Sequence, residues 1–409
     1  MLETLAWIVV TLLGLAAITT AVLWRALDSV AARLGVDTRP LPAMVAIRPV
    51  RGLEPGLAGN VRAALAQAYP GPLETIFVLD GREDPAYAVV RRLVDASGVH
   101  ARLVIAGPRP AGRTGKLHAM IRGLRAARLQ APLVCFADSD TRPAPSLLAD
   151  LARAVLAQPD VGAAFAPAVS VSRPRTAGDV GYGLLLDGLY GPQAALEMSR
   201  AHALPFIMGQ TMVLRRAALK AAGGLVASEG QLVDDMDIGA RVTRAGFRNV
   251  LIGRRLPIRS QGMAWSAFWS LALRWMIYSR TGIPLWPFSA PALAFELAFH
   301  VMVLVAVLAA LLRAPTAAAM FTLAALMVPV ALQVLRRKQG AAPLPLRLGW
   351  ALPLVLWLTP LLFVEALFAR VVEWRGRSYT LDAHGRLAPA AEDEAAPPAP
   401  RRQAETRRR

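Results

Sequence analysis

Residues 131–141, with the sequence APLVCFADSDT, decide the fold, because an apolar run there ends abruptly in two acids. Residues 133–137 are apolar and bounded by turn residues, which predicts a buried central strand. In an open α/β sheet, ligands bind beyond the carboxyl ends of the strands, where Asp138 and Asp140 would lie. Neighbouring carboxylates repel each other and are costly to bury unless a cation bridges them. The stretch therefore predicts a cation site at the edge of a sheet.

This triplet is weak evidence by itself, since a D-x-D pattern occurs about once by chance in a chain of this length. Asp138 could simply end the strand, and Asp140 could start the turn before Pro143. If the two acids do bind a cation, Mg²⁺ or Mn²⁺ is favoured, because such hard cations take carboxylate and phosphate oxygens together. The hypothesis at this corner is a metal-bound diphosphate, as in a sugar nucleotide.

The composition is typical of a chain that is partly embedded in a membrane. Hydrophobic residues make up 55% of the 409 residues, which is more than in an ordinary soluble enzyme. The formal net charge of +18 suits an anionic membrane face or a phosphate-bearing substrate, with nucleic acid as the rival explanation. Cys135 is the only cysteine, which excludes an internal disulfide and fits a reducing compartment.

Between residues 44 and 253, strand-like and helix-like runs alternate. The predicted strands are 44–50, 73–79, 102–105, 133–137 and 161–165, and the predicted helices are 56–68, 87–96, 116–129 and 146–157. This rhythm predicts an α/β fold whose mainly parallel sheet is flanked by helices and has nucleotide-binding topology.

Apolar segments surround this α/β domain. The predicted order is an N-terminal transmembrane anchor, a cytoplasmic α/β domain, an interfacial amphipathic helix, C-terminal membrane segments and a tail, at residues 1–26, 40–262, 263–285, 286–370 and 371–409. The first segment has no basic residue before it and no cleavage site after it, which favours an anchor over a signal peptide. Arg25, Arg33 and Arg39 follow it directly, which places the α/β domain in the cytoplasm.

The C-terminal segments leave the side of the C-terminus open. Three full crossings by residues 290–312, 317–335 and 348–368 would put the C-terminus outside, whereas the arginines of residues 401–409 favour the inside. A re-entrant last segment, which prolines interrupt, would remove this conflict.

Two other motifs lie where a parallel sheet binds nucleotides. Asp80 follows the second predicted strand and Asp84 comes shortly after it, so both are placed to accept hydrogen bonds from a base or ribose. The alternative for Asp84 is a helix cap. Lys116 lies in a glycine-containing loop, residues 112–118 (GRTGKLH), that opens a helix and suits a diphosphate. A solvated loop is an equal alternative.

Asp234 and Asp235 open a further predicted helix. Acids are common caps there, but the helix dipole also keeps a carboxylate ionised, as a general base must be. Residues 263–280 mix aromatic side chains with arginines, as an interfacial helix would. Within them, Arg274 and Trp275 could hold a phosphate and stack on an acceptor or sugar, with anchoring at the interface as the alternative.

In this order, the motifs resemble those of family-2-like glycosyltransferases of the GT-A fold, most closely the ceramide glucosyltransferase group. The resemblance covers the chain from the anchor to about Leu387. Its marks are residues 47–52 (IRPVRG), 83–86 (EDPA), Lys116, 138–140 (DSD), 209–212 (GQTM), 234–235 (DD), 274–275 (RW) and 374–376 (WRG). One departure is Leu271, where the family often has Gln or Arg, and this weakens any case for a processive polysaccharide synthase.

The resemblance implies a role for each matching residue. Nucleotide and substrate binding would fall to Asp80, Asp84, Lys116, Gln210 and Asp234, metal binding to Asp138 and Asp140, and catalysis to Asp235 as the base with Arg274 and Trp275. It further implies an inverting transfer of a sugar, with glucose expected, from a UDP-sugar to a lipid hydroxyl such as that of ceramide, with Mg²⁺ or Mn²⁺ as cofactor.

The expected partners are thus a UDP-sugar donor, a lipid acceptor and a membrane, with the protein integral to a bacterial inner membrane. A nucleic-acid partner is not expected, because the aromatic residues crowd beside the spans and not on a free basic face. The alternatives are a hopanoid or diacylglycerol acceptor and, from another class, a catalytically silent membrane scaffold.

Overall fold

The computed structural model describes residues 2–31, 40–110, 112–259, 261–280, 286–374 and 377–388. Of the predicted features, Arg33, Arg39, Arg375, Gly376 and the last part of the tail lie outside these ranges. The strands are β1 (Met44–Pro49), β2 (Leu73–Leu79), β3 (Ala101–Ile105), β4 (Leu133–Ala137), β5 (Val161–Phe165), β6 (Ala168–Ser170), β7 (Thr211–Arg215), β8 (Arg248–Leu251), β9 (Leu256–Ile258), β10 (Val371–Trp374) and β11 (Arg377–Thr380).

The α-helices alternate with these strands in the first part of the chain and predominate after it. They are α1 (Leu2–Ala31), α2 (Leu57–Leu65), α3 (Tyr87–Asp95), α4 (Gly115–Ala126), α5 (Leu147–Leu156), α6 (Ala177–Gly183), α7 (Gly191–Ala201), α8 (Arg216–Ala221), α9 (Asp234–Arg244), α10 (Trp265–Met276), α11 (Ala290–Leu311), α12 (Pro315–Lys338) and α13 (Ala351–Phe368). A π-helix, Leu184–Tyr190, joins α6 to α7.

Seven strands form one sheet in the order β3-β2-β1-β4-β7-β5-β8, in which β7 alone runs antiparallel to its neighbours. The predicted mainly parallel sheet flanked by helices is therefore confirmed. All five residues of β4 are buried, as the unbroken apolar run indicated. Phe136 is fully buried in this strand, and truncating such a side chain to Ala costs about 3–5 kcal/mol.

The antiparallel strand β7 was not predicted, and it shapes the site. Ala137 pairs with Thr211 at the end of β4. The next backbone bond runs from the N–H of Asp138 to the carbonyl of Gln210, at 2.9 Å. Pairing with β7 thus carries Gln210 to the position where the Asp-Ser-Asp triplet begins.

Among the described residues, four helical segments are long and apolar enough to cross a membrane: Ala6–Ala31, Ala290–Leu311, Pro315–Lys338 and Leu346–Phe368. They correspond to the one N-terminal and three C-terminal segments predicted, and they support an integral membrane protein. Helix α1 packs against α7, α11 and α12, so the anchor belongs to the same body as the later segments. Nζ of Lys338, at the end of α12, lies 2.5 Å from Oδ1 of Asp28 in α1.

The chain after α13 returns to the α/β domain. Strands β10 and β11 form an antiparallel hairpin. The N–H of Leu387 donates to the carbonyl of Gly230, and the guanidinium of Arg377 reaches the α/β domain through an ion pair with Asp80. Residues 371–374 and 377–388, which the sequence assigned to a tail, thus connect back to the sheet domain.

Candidate active site

A cavity of about 510 Å³ lies beyond the carboxyl ends of β1, β2 and β4 and is closed on its far side by α10. Nine of the ten predicted site residues line it: Asp80, Lys116, Asp138, Asp140, Gln210, Asp234, Asp235, Arg274 and Trp275. The structure therefore gathers side chains that are up to 195 positions apart around one space. Their individual roles remain predictions.

Asp84 is the predicted site residue that does not line the cavity. Its carboxylate accepts hydrogen bonds from the N–H groups of Gly52 (3.0 Å) and Ala86 (2.8 Å). These two bonds hold the turn after β1. Gly52 has φ +70° in this turn, a conformation that favours glycine. The geometry thus places Asp84 behind the loop that borders the cavity.

The Asp-Ser-Asp corner is fixed by side chains from neighbouring parts of the chain. The guanidinium of Arg48, from β1, donates to the carbonyls of Asp138 (2.7 Å) and Thr141 (3.2 Å). Oγ of Ser139 donates to Glu54 at 2.6 Å, which turns this middle side chain away from its neighbours. The two carboxylates of the triplet both border the cavity as a result.

Lys116 provides the positive charge of this corner. Thr114 caps α4, with its hydroxyl oxygen accepting from the N–H of Leu117 at 3.1 Å, so Lys116 lies in the first turn. Its Nζ is 2.7 Å from Oδ1 of Asp138. Burial lowers the pKa of Lys116, but the charges of Asp138, Asp234 and Asp235 outweigh burial, and the net pKa is raised. The ammonium therefore stays charged at physiological pH.

The two acids that open α9 differ in their surroundings. Asp235 is half-buried, and its carboxylate accepts from the N–H groups of Gly209 (2.6 Å) and Met236 (2.9 Å), which fixes its orientation. Asp234 is buried, and burial raises its pKa to about 7. Lys116 opposes this rise, and the charges of Asp235 and Asp138 add to it. Asp234 can thus hold a proton near neutral pH.

Asp80 is the centre of a small charged group at the end of β2. Its Oδ2 lies 3.0 Å from Nη2 of Arg377 and 3.9 Å from Nε of Arg51. Arg377 was missed from the sequence, because it follows the last membrane segment and no local signal connects it with β2.

Aromatic side chains form the wall opposite the acids. Trp275 lies between two tyrosines, with ring centroids 5.9 Å from Tyr182 and 5.5 Å from Tyr190. The guanidinium of Arg274 lies over the ring of Trp374, 4.5 Å from its centroid. Sequence reasoning missed Tyr182 and Tyr190, which lie in a mainly apolar stretch whose aromatic members predict only burial.

The oxygen-rich lining can be tested against a divalent cation. Oε1 of Gln210 and Oδ2 of Asp234 are buried and have no hydrogen-bond partner among the described residues. Buried oxygens of this kind call for a donor or a cation. In the described ranges, no group of three or more His, Cys, Asp or Glu side chains could hold a metal. A cation here would therefore need oxygens from a bound ligand beside those of Asp138 and Asp140, and an all-oxygen set suits Mg²⁺ or Mn²⁺.

The chain is similar to solved glycosyltransferase structures at low sequence identity. A mannosyltransferase from Pyrobaculum calidifontis, solved in complex with GDP-Man and Mn²⁺, is 18% identical over 88% of this chain and 99% of that chain, with a TM-score of 0.47. Glucosyl-3-phosphoglycerate synthase from Mycobacterium tuberculosis, solved with Mn²⁺, UDP-glucose and phosphoglyceric acid, is 18% identical over 59% of this chain and 81% of that chain, with a TM-score of 0.37. Both TM-scores are below 0.5, so the assignment rests on the family model.

The model of the family described as glycosyl transferase family 21 matches residues 5–387. This match covers the anchor, the sheet domain, the later apolar helices and the hairpin, and it confirms the predicted resemblance to glycosyltransferases. The chain belongs to glycosyl transferase family 21.

Proposed function

We propose that this protein is a membrane-bound inverting glycosyltransferase that moves a sugar, with glucose expected, from a UDP-sugar to the hydroxyl of a lipid such as ceramide. The observation that carries the proposal is a single cavity with two unlike walls. Acids and Lys116 form the wall at the sheet, whereas Met263, Ala267 and Leu271 line it from the segment of the interfacial helix. A nucleotide sugar fits the first wall and an amphipathic acceptor fits the second.

The donor would bind at the carboxyl ends of β2 and β4. Lys116, in the first turn of α4, is placed to meet the diphosphate, because a helix start favours anions and the ammonium adds a point charge. Asp138 and Asp140 would hold Mg²⁺ or Mn²⁺. When bound, that cation neutralises part of the charge on the departing diphosphate. Asp80 is the residue best placed for the nucleoside.

Asp235 would act as the base that takes the proton from the lipid hydroxyl. The bonds from Gly209 and Met236 hold its carboxylate at the cavity, so the acceptor oxygen can be oriented before transfer. The hydroxyl would then attack the anomeric carbon opposite the leaving group, which inverts that centre. Trp275, held between the two tyrosines, offers a flat face to the sugar or to the acceptor.

The contacts of α13 support a cytoplasmic α/β domain with the C-terminus on the same side. Ahead of α13, the N–H of Ala342 donates to the carbonyl of Ser170. At its carboxyl end, Ala366 and Ala369 accept hydrogen bonds at their carbonyls from the guanidinium of Arg280. Because both flanks reach the α/β domain or the segment following α10, we infer that α1, α11 and α12 cross the membrane and that α13 is re-entrant.

This topology can be tested with single cysteines, since the natural Cys135 is buried. Thr316→Cys, at the start of α12, should react with a membrane-impermeant maleimide in intact cells. Arg386→Cys, in the segment after the hairpin, should react only after the cells are opened. Labelling of Arg386→Cys in intact cells would show that α13 crosses the membrane.

The proposed activity is tested by incubating the purified protein in lipid nanodiscs with UDP-sugars, Mn²⁺ or Mg²⁺, and a panel of lipid acceptors. We expect UDP release with a new glycolipid, and loss of both in Asp235→Asn. The acceptor panel must contain ceramide, a hopanoid and diacylglycerol, since the apolar wall fits each of them. Folded protein that produces no UDP and no glycolipid with any pair would contradict the proposal and favour a silent scaffold.

A further inference from the structure

The carboxyl-terminal end of α12, one of the apolar helices, carries an arginine into the α/β domain. Arg336 is fully buried, and so is Asp187 of the π-helix. Nη2 of Arg336 lies 3.5 Å from Oδ2 of Asp187, and its Nη1 donates to Oε1 of Gln333 at 2.9 Å. A buried pair of this kind is costly to desolvate and is commonly better replaced by apolar residues if stability is its only purpose.

Two glycines leave the space for this contact, because they have no side chain. A Cβ on Gly183 would lie 2.6 Å from Nη2 of Arg336, and one on Gly191 would lie 2.5 Å from Oε1 of Gln339. Both are too close for a real Cβ. The amide of Gln339 also donates to the backbone carbonyl of Asp187. The segment around the π-helix is therefore shaped to receive two polar side chains from the end of α12.

The tyrosines of the aromatic wall lie on either side of Asp187 in the chain, at the two ends of the π-helix. Tyr182 precedes it and Tyr190 ends it, and both rings contact Trp275. Asp187 lies between them in the chain, and its Oδ1 accepts from the N–H of Ser170 at 2.9 Å. Asp187 and Arg336 are absent from the lining of the cavity. The π-helix connects them with the site, and such a helix is a rare conformation that is common at functional sites.

We propose that Arg336 and Asp187 are positioning residues that hold the π-helix so that Tyr182, just before it, and Tyr190, at its end, fix the ring of Trp275 for the acceptor. This inference rests on the proposed function, which places Trp275 at the acceptor side. The pair links a membrane helix to the aromatic wall but not to the wall of acids. Its loss should therefore affect the acceptor and leave the donor site intact.

The test separates positioning from folding through a double variant. Asp187→Asn or Arg336→Gln alone leaves one buried charge without its partner, so each single variant should lose thermal stability. The double variant, Asp187→Asn with Arg336→Gln, removes both charges and should recover most of it. In the double variant we expect the KM for the lipid acceptor to rise at least fivefold, with the KM for the UDP-sugar within twofold of that of the unmodified protein.

A second readout does not depend on activity. With 5-fluorotryptophan incorporated, the ¹⁹F resonance of Trp275 is assigned by its disappearance in Trp275→Phe. In the double variant this resonance should shift or broaden, whereas that of the exposed Trp7 should stay unchanged. If the double variant does not fold, Gln339→Ala removes the bond to the carbonyl of Asp187 but keeps both charges of the pair, and it should give smaller changes of the same kind.

The matched control is the exposed ion pair of Arg248 and Asp160, at 2.6 Å, near the start of β8. Asp160→Asn with Arg248→Gln should leave both KM values and the Trp275 resonance unchanged. An unchanged resonance in the Asp187 and Arg336 double variant, or an equal rise of both KM values, would overturn the inference. If the unmodified protein transfers no sugar at all, the proposed function fails, and the resonance still decides the positioning role.

Discussion

Gly209→Ala should disable Asp235 without touching it. A Cβ on Gly209 would lie 2.3 Å from Oδ2, 2.5 Å from Cβ and 2.7 Å from Cγ of Asp235, so the start of α9 must shift together with the carboxylate. The backbone of Gly209 is outside the left-handed region, so its conformation does not oppose the methyl group. The carboxylate must retreat by about 1.1 Å to reach an ordinary contact of 3.4 Å. It thereby loses the 2.6 Å bond from the N–H of Gly209.

The size of the effect follows from that displacement. Misplacing a reacting group by about 1 Å costs roughly 100-fold in rate, and losing a charge-assisted hydrogen bond of about 1.5–3 kcal/mol gives a similar figure. We therefore expect kcat to fall about 100-fold. The crowding itself should lower the free energy of unfolding by about 1–3 kcal/mol, which leaves enough folded protein to assay.

The assay is UDP release at saturating donor and acceptor, together with the melting temperature of the same sample. Gly14→Ala in α1 is the matched control, because nothing lies within 4 Å of its added Cβ, and it should change neither quantity. If Gly209→Ala keeps the rate of the unmodified protein while remaining folded, the position of Asp235 does not limit the reaction. Its role as base would then be wrong.

Four other changes probe the charges of the site. Because burial raises the pKa of Asp234 from 3.8 to about 7, the native state holds its proton more tightly than the unfolded chain, and stability should fall as pH rises between these values. Asp234→Asn should remove this loss. From pH 5 to pH 8, the free energy of unfolding of the variant relative to the unmodified protein should therefore rise by on the order of 2 kcal/mol, and its relative melting temperature should rise with it. Lys116→Gln leaves Asp138 without its partner and should weaken UDP binding at least tenfold, measured by calorimetry. Arg377→Ala removes the closer of the two arginines that hold Asp80 and should raise the KM for the donor but not for the acceptor. Chelation of divalent cations should weaken UDP binding at least tenfold.

Matched variants give each of these results a reference. The pKa of Asp382 is lowered by the hydrogen bond from the N–H of Arg386, so Asp382→Asn should show no trend between pH 5 and pH 8. Arg386→Ala removes an exposed arginine from the segment that carries Arg377 and should leave donor kinetics unchanged. The argument for Asp234 would be contradicted if the relative stability of Asp234→Asn did not change with pH. Equal effects of Arg377→Ala and Arg386→Ala would contradict the role of Arg377. UDP binding that is unchanged by Lys116→Gln or by chelation would contradict the role of Lys116 or of the cation.

The strands that follow a simple local pattern were the ones predicted from sequence. β2, β4 and β5 have the predicted bounds, because an apolar run bounded by turn residues has few other conformations in an α/β chain. Acids directly after such strands must meet at one edge of a parallel sheet. This is why Asp80 and Asp138 could be placed near one another before any coordinates were known.

Contacts between distant parts of the chain could not be predicted in this way. β7 has five residues and its place between β4 and β5 is set by pairing with strands on both sides, which a local pattern does not report. The ion pair of Arg377 with Asp80 joins residues 297 positions apart. Asp84 is a case in which the motif was recognised but its role could not be decided. Whether its carboxylate binds a nucleotide or holds the turn at Gly52 depends on where the backbone N–H groups point.

The balance of charge in the cavity argues that donor and cation bind together. The chain as a whole carries a formal charge of +18, yet the described lining of the cavity has six carboxyl groups and only three basic side chains. An anionic diphosphate alone would enter a site with an excess of acids, and Lys116 is already engaged by Asp138. A divalent cation that takes oxygens from both partners removes this repulsion. Binding linkage then requires the nucleotide and the cation to raise each other's affinity by the same factor. Measuring either factor therefore gives the coupling free energy between donor and cation.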